Sequence, residues 1–126
     1  MASPCTAAED GFELQFTTNH LSHFLLTNLL MPKTLLSSNP KIINVSSTAH
    51  LVSSILYSDP DFNSGKEYNP ILAYAQSKTG NILFSVGLNR RQGKSGLWSF
   101  GFHPGAVDSG LARYFTKEMM AEGINV

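Results

Sequence analysis

Charge is scarce in this sequence. Charged residues make up 14% of its 126 residues, and nine Lys/Arg balance nine Asp/Glu; about a quarter is ordinary for a soluble chain. A neutral chain without a basic run lacks the footprint that nucleic acid or an anionic bilayer demands, so neither partner is expected. Cysteine is nearly absent too: Cys5 stands alone, which excludes an internal disulfide and fits a reducing compartment. No apolar run is long enough to span a bilayer. The richest, "LSHFLLTNLLMPKTLL" at 21–36, is broken by His23, Asn28, Pro32 and Lys33. No charged-then-apolar leader opens the chain, and together these absences point to a cytoplasmic protein. Without repeats, low-complexity tracts or linkers, residues 1–126 form one domain at most.

What remains is a regular alternation. Residues 8–31 carry Leu14, Leu21, Phe24, Leu25 and Leu29 at helical spacing, with Asp10 as the expected cap and Pro32 expected to end or kink the helix. "SSNPK" (37–41) is turn chemistry, and "KIINVSS" (41–47) reads as a buried strand. Residues 53–72 hold Asp59-Pro60, Asn63, Gly65 and Asn69-Pro70, a long turn-rich loop of the kind that is often functional. A second long helix is expected over 71–92, although Gly80 and Gly87 inside it each cost about 1 kcal/mol relative to alanine, so something else must hold it. "GLWSFGFHPG" (96–105) reads as a second strand, followed by a short helix over 109–121 and a frayed "EGINV" end. Helix–strand–helix–strand–helix argues an α/β fold with a parallel sheet and helical crossovers. Two strands leave faces and edges uncovered, so the domain is expected to be partial.

The chemistry-bearing pair is Tyr74 and Lys78, four positions apart on one face of the second helix. A free phenol, with a pKa of about 10, is a poor base at neutral pH, and a nearby ammonium favours its ionised form. Such a pair can give a proton to a carbonyl oxygen or take one from an alcohol. The same spacing also occurs in ordinary surface pairs, so its context decides. No metal is expected: His20, His23 and His50 lack a companion set of carboxylates or thiolates. A Gly-x-Ser-x-Gly nucleophile elbow is missing, and the Asn44-Val45-Ser46 acceptor sits in a strand where glycosylation is inert.

In order, "TNHLSHFLLT", "NVSS", "AYAQSKTGN" and "HPGAV" resemble the short-chain dehydrogenase/reductase family. They are most similar to its retinol-dehydrogenase-like and WW-domain-oxidoreductase-like branch. The resemblance runs from about Met1 to Arg113 and implies the C-terminal part of a Rossmann-type doubly wound parallel sheet. It also implies an NAD(P)-dependent oxidoreductase interconverting an alcohol and a carbonyl. By resemblance, Ser47 holds the substrate carbonyl and Tyr74 is the general acid or base. Lys78 lowers the Tyr74 pKa and contacts the cofactor ribose, while Asn19 supports a water that links Lys78 to solvent. Pro104 and Gly105 lie beside the nicotinamide, and Val107 and Ser109 reach its carboxamide. Ser22 and Ser109 depart from the branch's usual glycine and threonine.

Full members of the family open with a strand and a glycine-rich turn that binds pyrophosphate, and this sequence has none. The expectation is therefore a truncated member, inactive by itself, lacking the N-terminal dinucleotide-binding half and the C-terminal end. The cofactor is NADP or NAD, with the branch leaning to NADP, and the substrate a small alcohol or ketone of lipid-like or polycyclic shape. A rival expectation is a non-catalytic relative that binds or dimerises, as a homo-oligomer or onto a complete homologue, through helices 8–31 and 71–92.

Overall fold

A computed structural model describes residues 1–107 and 109–116. One long helical rod comes first: α1 (Leu14–Phe16), a π-helical turn (Thr17–Leu21) and α2 (Ser22–Thr34). It begins at residue 14 and not at 8. Asp10 is not its cap; the Glu13 carboxylate is, accepting from the Gln15 and Phe16 amides at 2.8 and 2.6 Å. Before it, the chain doubles back through Gly11 (φ +83°) into a bridge between Ala7 and Glu13, which precludes helix there. Pro32 neither ends the rod nor falls beyond it, because it sits in the last turn, where little of the ladder remains to be lost.

β1 (Lys41–Val45) pairs in parallel with β2 (Trp98–Phe102), from Lys41 opposite Trp98 to Val45 opposite Phe102. Between them runs α3 (Pro70–Gln92), with Pro70 in its first turn and the Asn69 side chain accepting from the Ile71 and Leu72 amides at 2.9 and 3.0 Å. Proline at that position and asparagine before it are strong start signals. Of the helix expected at 109–121, the described residues 109–116 hold only one 3₁₀ turn, Gly110–Ala112, with no helix over 113–116; 117–121, with the "EGINV" end, lie outside them.

α3 packs across the sheet, and its anchor is largely polar. Asn44 donates to Ser85 at 2.8 Å and to Ser99 at 3.4 Å, while Asn89 exchanges two bonds with the Ser99 backbone at 2.7 and 2.8 Å. These buried bonds offset the weak helical propensity of Gly80 and Gly87. The apolar core is small: Met31, Phe84, Leu88 and Leu97, with Leu35 and Ile42 against it. β1 is not buried on both faces as expected. Ile42 and Asn44 turn to α3, whereas Ile43, Val45, Trp98, Phe100 and Phe102 share an open face, with Ile43 63% exposed. α2 likewise buries only Met31.

The 53–69 loop is tied down at its centre. Gln76, fully buried on α3, donates to the Pro60 carbonyl at 2.8 Å and accepts from the Leu56 amide at 3.3 Å. Asp61 accepts from the Glu13 amide at 2.9 Å, and Tyr68 receives a bond from Gln15 at 2.8 Å.

Candidate active site

β1 ends at Val45 and turns through two serines that point in opposite ways. Ser46 is buried and donates to the Lys78 carbonyl at 2.8 Å, which ties the strand end to α3. Ser47, in extended conformation, caps the 3₁₀ turn Thr48–Leu51, its hydroxyl oxygen accepting from the Ala49 amide at 3.2 Å. Its side chain also stands near enough to the Tyr74 phenol to favour the ionised form. Ser47, Tyr74, Lys78, Pro104 and Gly105 line one cavity of about 550 Å³. Leu51, Val52, Ile71, Leu111 and Phe115 give it an apolar wall. Pro104, Gly105, Val107 and Ser109 border an adjoining hollow of about 460 Å³. Gly105 takes φ +79°, a conformation suited to glycine, and its amide donates to His103 Nδ1 at 3.2 Å.

Lys78 places its ammonium over the face of the Tyr74 ring, 5.4 Å from the centroid, and donates to the Val45 carbonyl at 3.3 Å. A cation over the ring face attracts the ring quadrupole instead of touching the hydroxyl. Burial raises the Tyr74 pKa above the usual tyrosine value, with the Ser47 side chain opposing it. Burial lowers that of Lys78. The lowered phenol pKa expected from the lysine is thus overridden here: desolvation disfavours phenolate more than its partners favour it. Tyr74 accordingly keeps its proton at neutral pH.

Asn19 does not line the cavity. It lies in the π turn, where the Ser22 amide bonds to the Thr17 carbonyl five residues back, and such turns are frequent at functional sites. Its side chain donates to Ser77 at 3.0 Å, and Ser77 in turn donates to the Tyr74 carbonyl at 2.6 Å. The π turn is therefore docked on the back of α3.

Several residues had no sequence signal of their own. His20 Nδ1 meets Asn81 Oδ1 at 3.1 Å, and Asn81 donates to the Val45 carbonyl at 3.0 Å, the same oxygen that Lys78 uses. Asn81 was visible only as the last residue of the quoted "AYAQSKTGN". The cavity wall formed by Leu51, Val52 and Ile71 was hidden because a single 3₁₀ turn and the first turn of a helix are too short to show periodicity.

No family model matches the chain. It is 45% identical over 114 residues to human retinol dehydrogenase 13, covering 90% of this chain and 34% of that protein. Against human retinol dehydrogenase 11 the figures are 44%, 90% and 35%. Against mouse retinol dehydrogenase 14 they are 41% over 118 residues, 94% and 35%. The chain thus spans about a third of the length of these relatives. Among solved structures, an uncharacterized protein from Mycobacterium paratuberculosis superposes with a TM-score of 0.74 at 41% identity, over 90% of this chain and 41% of that one. These matches correct the expected cytoplasmic location, since the retinol dehydrogenases concerned are membrane-associated enzymes. Among the described residues, no helix is long and apolar enough to cross a membrane.

Proposed function

Because the chain carries a segment of the short-chain dehydrogenase/reductase family, we propose that its cavity serves an NAD(P)-dependent interconversion of an alcohol and a carbonyl. The convergence of Ser47, Tyr74 and Lys78 on one cavity carries this reading. Residues 1–126 are read as one partial domain of such an enzyme.

The residues present suit the nicotinamide end of a dinucleotide. Lys78 spends one donor on Val45, leaving others for ribose hydroxyls, and among the described residues, chain neighbours aside, no atom stands within 4 Å of where a Cβ on Gly105 would be. Among the described residues no glycine-rich turn is available for the pyrophosphate. Either NADP or NAD suits these groups; the branch resemblance favours NADP. When bound, the nucleotide supplies or accepts the hydride.

The chain's own residues handle position and proton. Ser47 holds the substrate oxygen beside the phenol. Tyr74, kept protonated by burial, gives its proton to that oxygen as it gains charge, and takes one in the reverse direction. Lys78 over the ring face favours the phenolate left behind. Asn19 belongs to proton resupply through a water linked to Lys78, a role suited to the irregular backbone of the π turn. Pro104 and Gly105 flank the nicotinamide, with Val107 and Ser109 near its carboxamide. The apolar wall suits a lipid-like or polycyclic substrate, a class that includes retinol, the alcohol in the relatives' name.

The test is retinaldehyde reduction with NADPH or NADH by the protein as its source cell makes it. Tyr74→Phe should lower kcat by about 10²-fold or more, the scale of general acid catalysis. Turnover untouched by that substitution would overturn the mechanism.

A second reading, association with another copy or with a complete relative, draws on the apolar faces of α2 and α3. Leu25, Leu29, Leu83 and Val86 are exposed there, Leu29 to 69%. Sedimentation should then show a dimer that Leu29→Glu dissociates, and a wild-type monomer would remove the idea.

A further inference from the structure

The serine and the tyrosine stand on different elements, one on the turn after β1 and the other on α3. Their contact therefore depends on how that turn is fastened to the helix. Two side chains outside the cavity lining provide the fastening. Thr79, adjacent to Lys78 on α3, reaches the carbonyls of Ser53 at 2.6 Å and His50 at 3.2 Å with its hydroxyl. His50 then holds the Ser47 carbonyl twice, by Nδ1 at 2.7 Å and by its own backbone amide at 3.1 Å. A carbonyl only accepts, so Nδ1 carries the proton. The chain of bonds runs from the helix through Thr79, His50 and the Ser47 backbone to the hydroxyl that meets the phenol.

We propose that His50 and Thr79 are positioning residues that set the Ser47 hydroxyl against Tyr74. The proposal rests on the reading of Ser47 and Tyr74 as the proton-transfer pair. It goes beyond that reading by assigning the geometry of the pair to a threonine and a histidine that touch neither substrate nor cofactor. Without the brace the nearest ties to α3 are the bonds of Ser46 and Val45 before the serine and that of Leu56 well after it, and none of them fixes the serine that must be aimed.

The readout is the titration of Tyr74, followed as phenolate absorbance in the difference between each protein and its Tyr74→Phe counterpart. The groups that face this phenol are Ser47 from the β1 turn and Lys78 from α3. Met1, with its amino terminus, and His103 from the end of β2 line the same cavity. None of the last three is altered by the variants. Because the Ser47 side chain favours the ionised phenol, loosening its hold should move the Tyr74 midpoint upward. Ser47→Ala sets the full size of that movement. Thr79→Val and His50→Ala are expected to reproduce at least about half of it, while Thr79→Ser, which keeps the hydroxyl, stays at the wild-type value. A general loss of packing does not predict rescue by serine.

A normal midpoint in Thr79→Val and His50→Ala, beside a raised one in Ser47→Ala, would overturn the brace and leave the proton-transfer reading standing. If Ser47→Ala also leaves the midpoint unmoved, the Ser47–Tyr74 contact itself fails, and both readings fall together. Should Thr79→Val not fold, His50→Ala carries the same test. Paired crystal structures then give a second measure: Ser47 Oγ should lie farther from the phenol oxygen in His50→Ala than in the wild type, and an unchanged separation would overturn the brace.

Discussion

The imidazole of His20 occupies the space beside Gly80, so that a Cβ built on that glycine would stand 2.9 Å from the ring's Cγ and 3.0 Å from its Nδ1. The rod that carries Asn19 and the helix that carries Tyr74 and Lys78 approach closely at this point. The ring is further enclosed by Phe16, Phe24 and Phe84 at centroid separations of 5.1, 6.3 and 6.2 Å.

Gly80→Ala should accordingly destabilise the fold by about 1–3 kcal/mol, as overpacking does, despite alanine's better helical propensity. Gly87, whose would-be Cβ meets nothing within 4 Å among the described residues beyond its own helix backbone and chain neighbours, is the control: Gly87→Ala should stabilise by up to about 1 kcal/mol. Paired thermal melts decide it, and two substitutions of the same sign would contradict the geometry.

His20 should also make stability depend on pH. Burial lowers its pKa below 6.5, with the Asn81 hydrogen bond opposing. The folded state thus binds its proton less readily than the unfolded chain. The contribution is fully present above 6.5 and is lost as pH falls through the lower folded value. Melting temperature measured from pH 7 downward should fall more steeply in the wild type than in His20→Phe, which keeps an aromatic ring there. Parallel curves would assign the acid sensitivity elsewhere.

Gln76 is a second point where one side chain holds much. Replacing it with leucine strands the Pro60 carbonyl and the Leu56 amide, the two groups it serves. A loss of about 1–3 kcal/mol is the usual cost of a buried group left unpaired. Limited proteolysis should cut Gln76→Leu first within 53–69, and an unchanged cleavage pattern would show that other bonds suffice.

Lys78 offers a test of charge against packing at the site. In the proposed reaction Lys78→Met, which keeps much of the apolar stem, should lower kcat at neutral pH by about tenfold or more through loss of the cation beside the phenol. Lys78→Arg should retain more of the activity than Lys78→Met if charge over the ring is what matters. Equal losses in both would instead point to the shape of the lysine and its bond to Val45.

Much of this arrangement could be read from the sequence, because it is local. Tyr74 and Lys78 share a helix face by spacing alone, Asn69 and Pro70 announce the start of α3, and serines after a β-branched run mark a strand end. Asp10 was the wrong cap because the decision lay in a turn: the doubling back at Gly11 gave the role to Glu13, whose backbone is itself held by Asp61 from 48 residues away. Nothing near Thr17–Leu21 signals a π turn either. Its Asn19 is docked on Ser77, 58 residues distant.

Periodicity and turn chemistry act over a few residues, so the amino-acid order by itself determined α3, the two strands and the spacing of Tyr74 and Lys78. Tertiary structure alone decided which groups each side chain meets. It brought Ser47 against Tyr74, placed Lys78 over the ring face, made Gly80 necessary, and set the direction of the phenol's pKa. That last point has a plain physical reason. Desolvation depends on everything packed around a group, and those neighbours come from elements far apart in the chain.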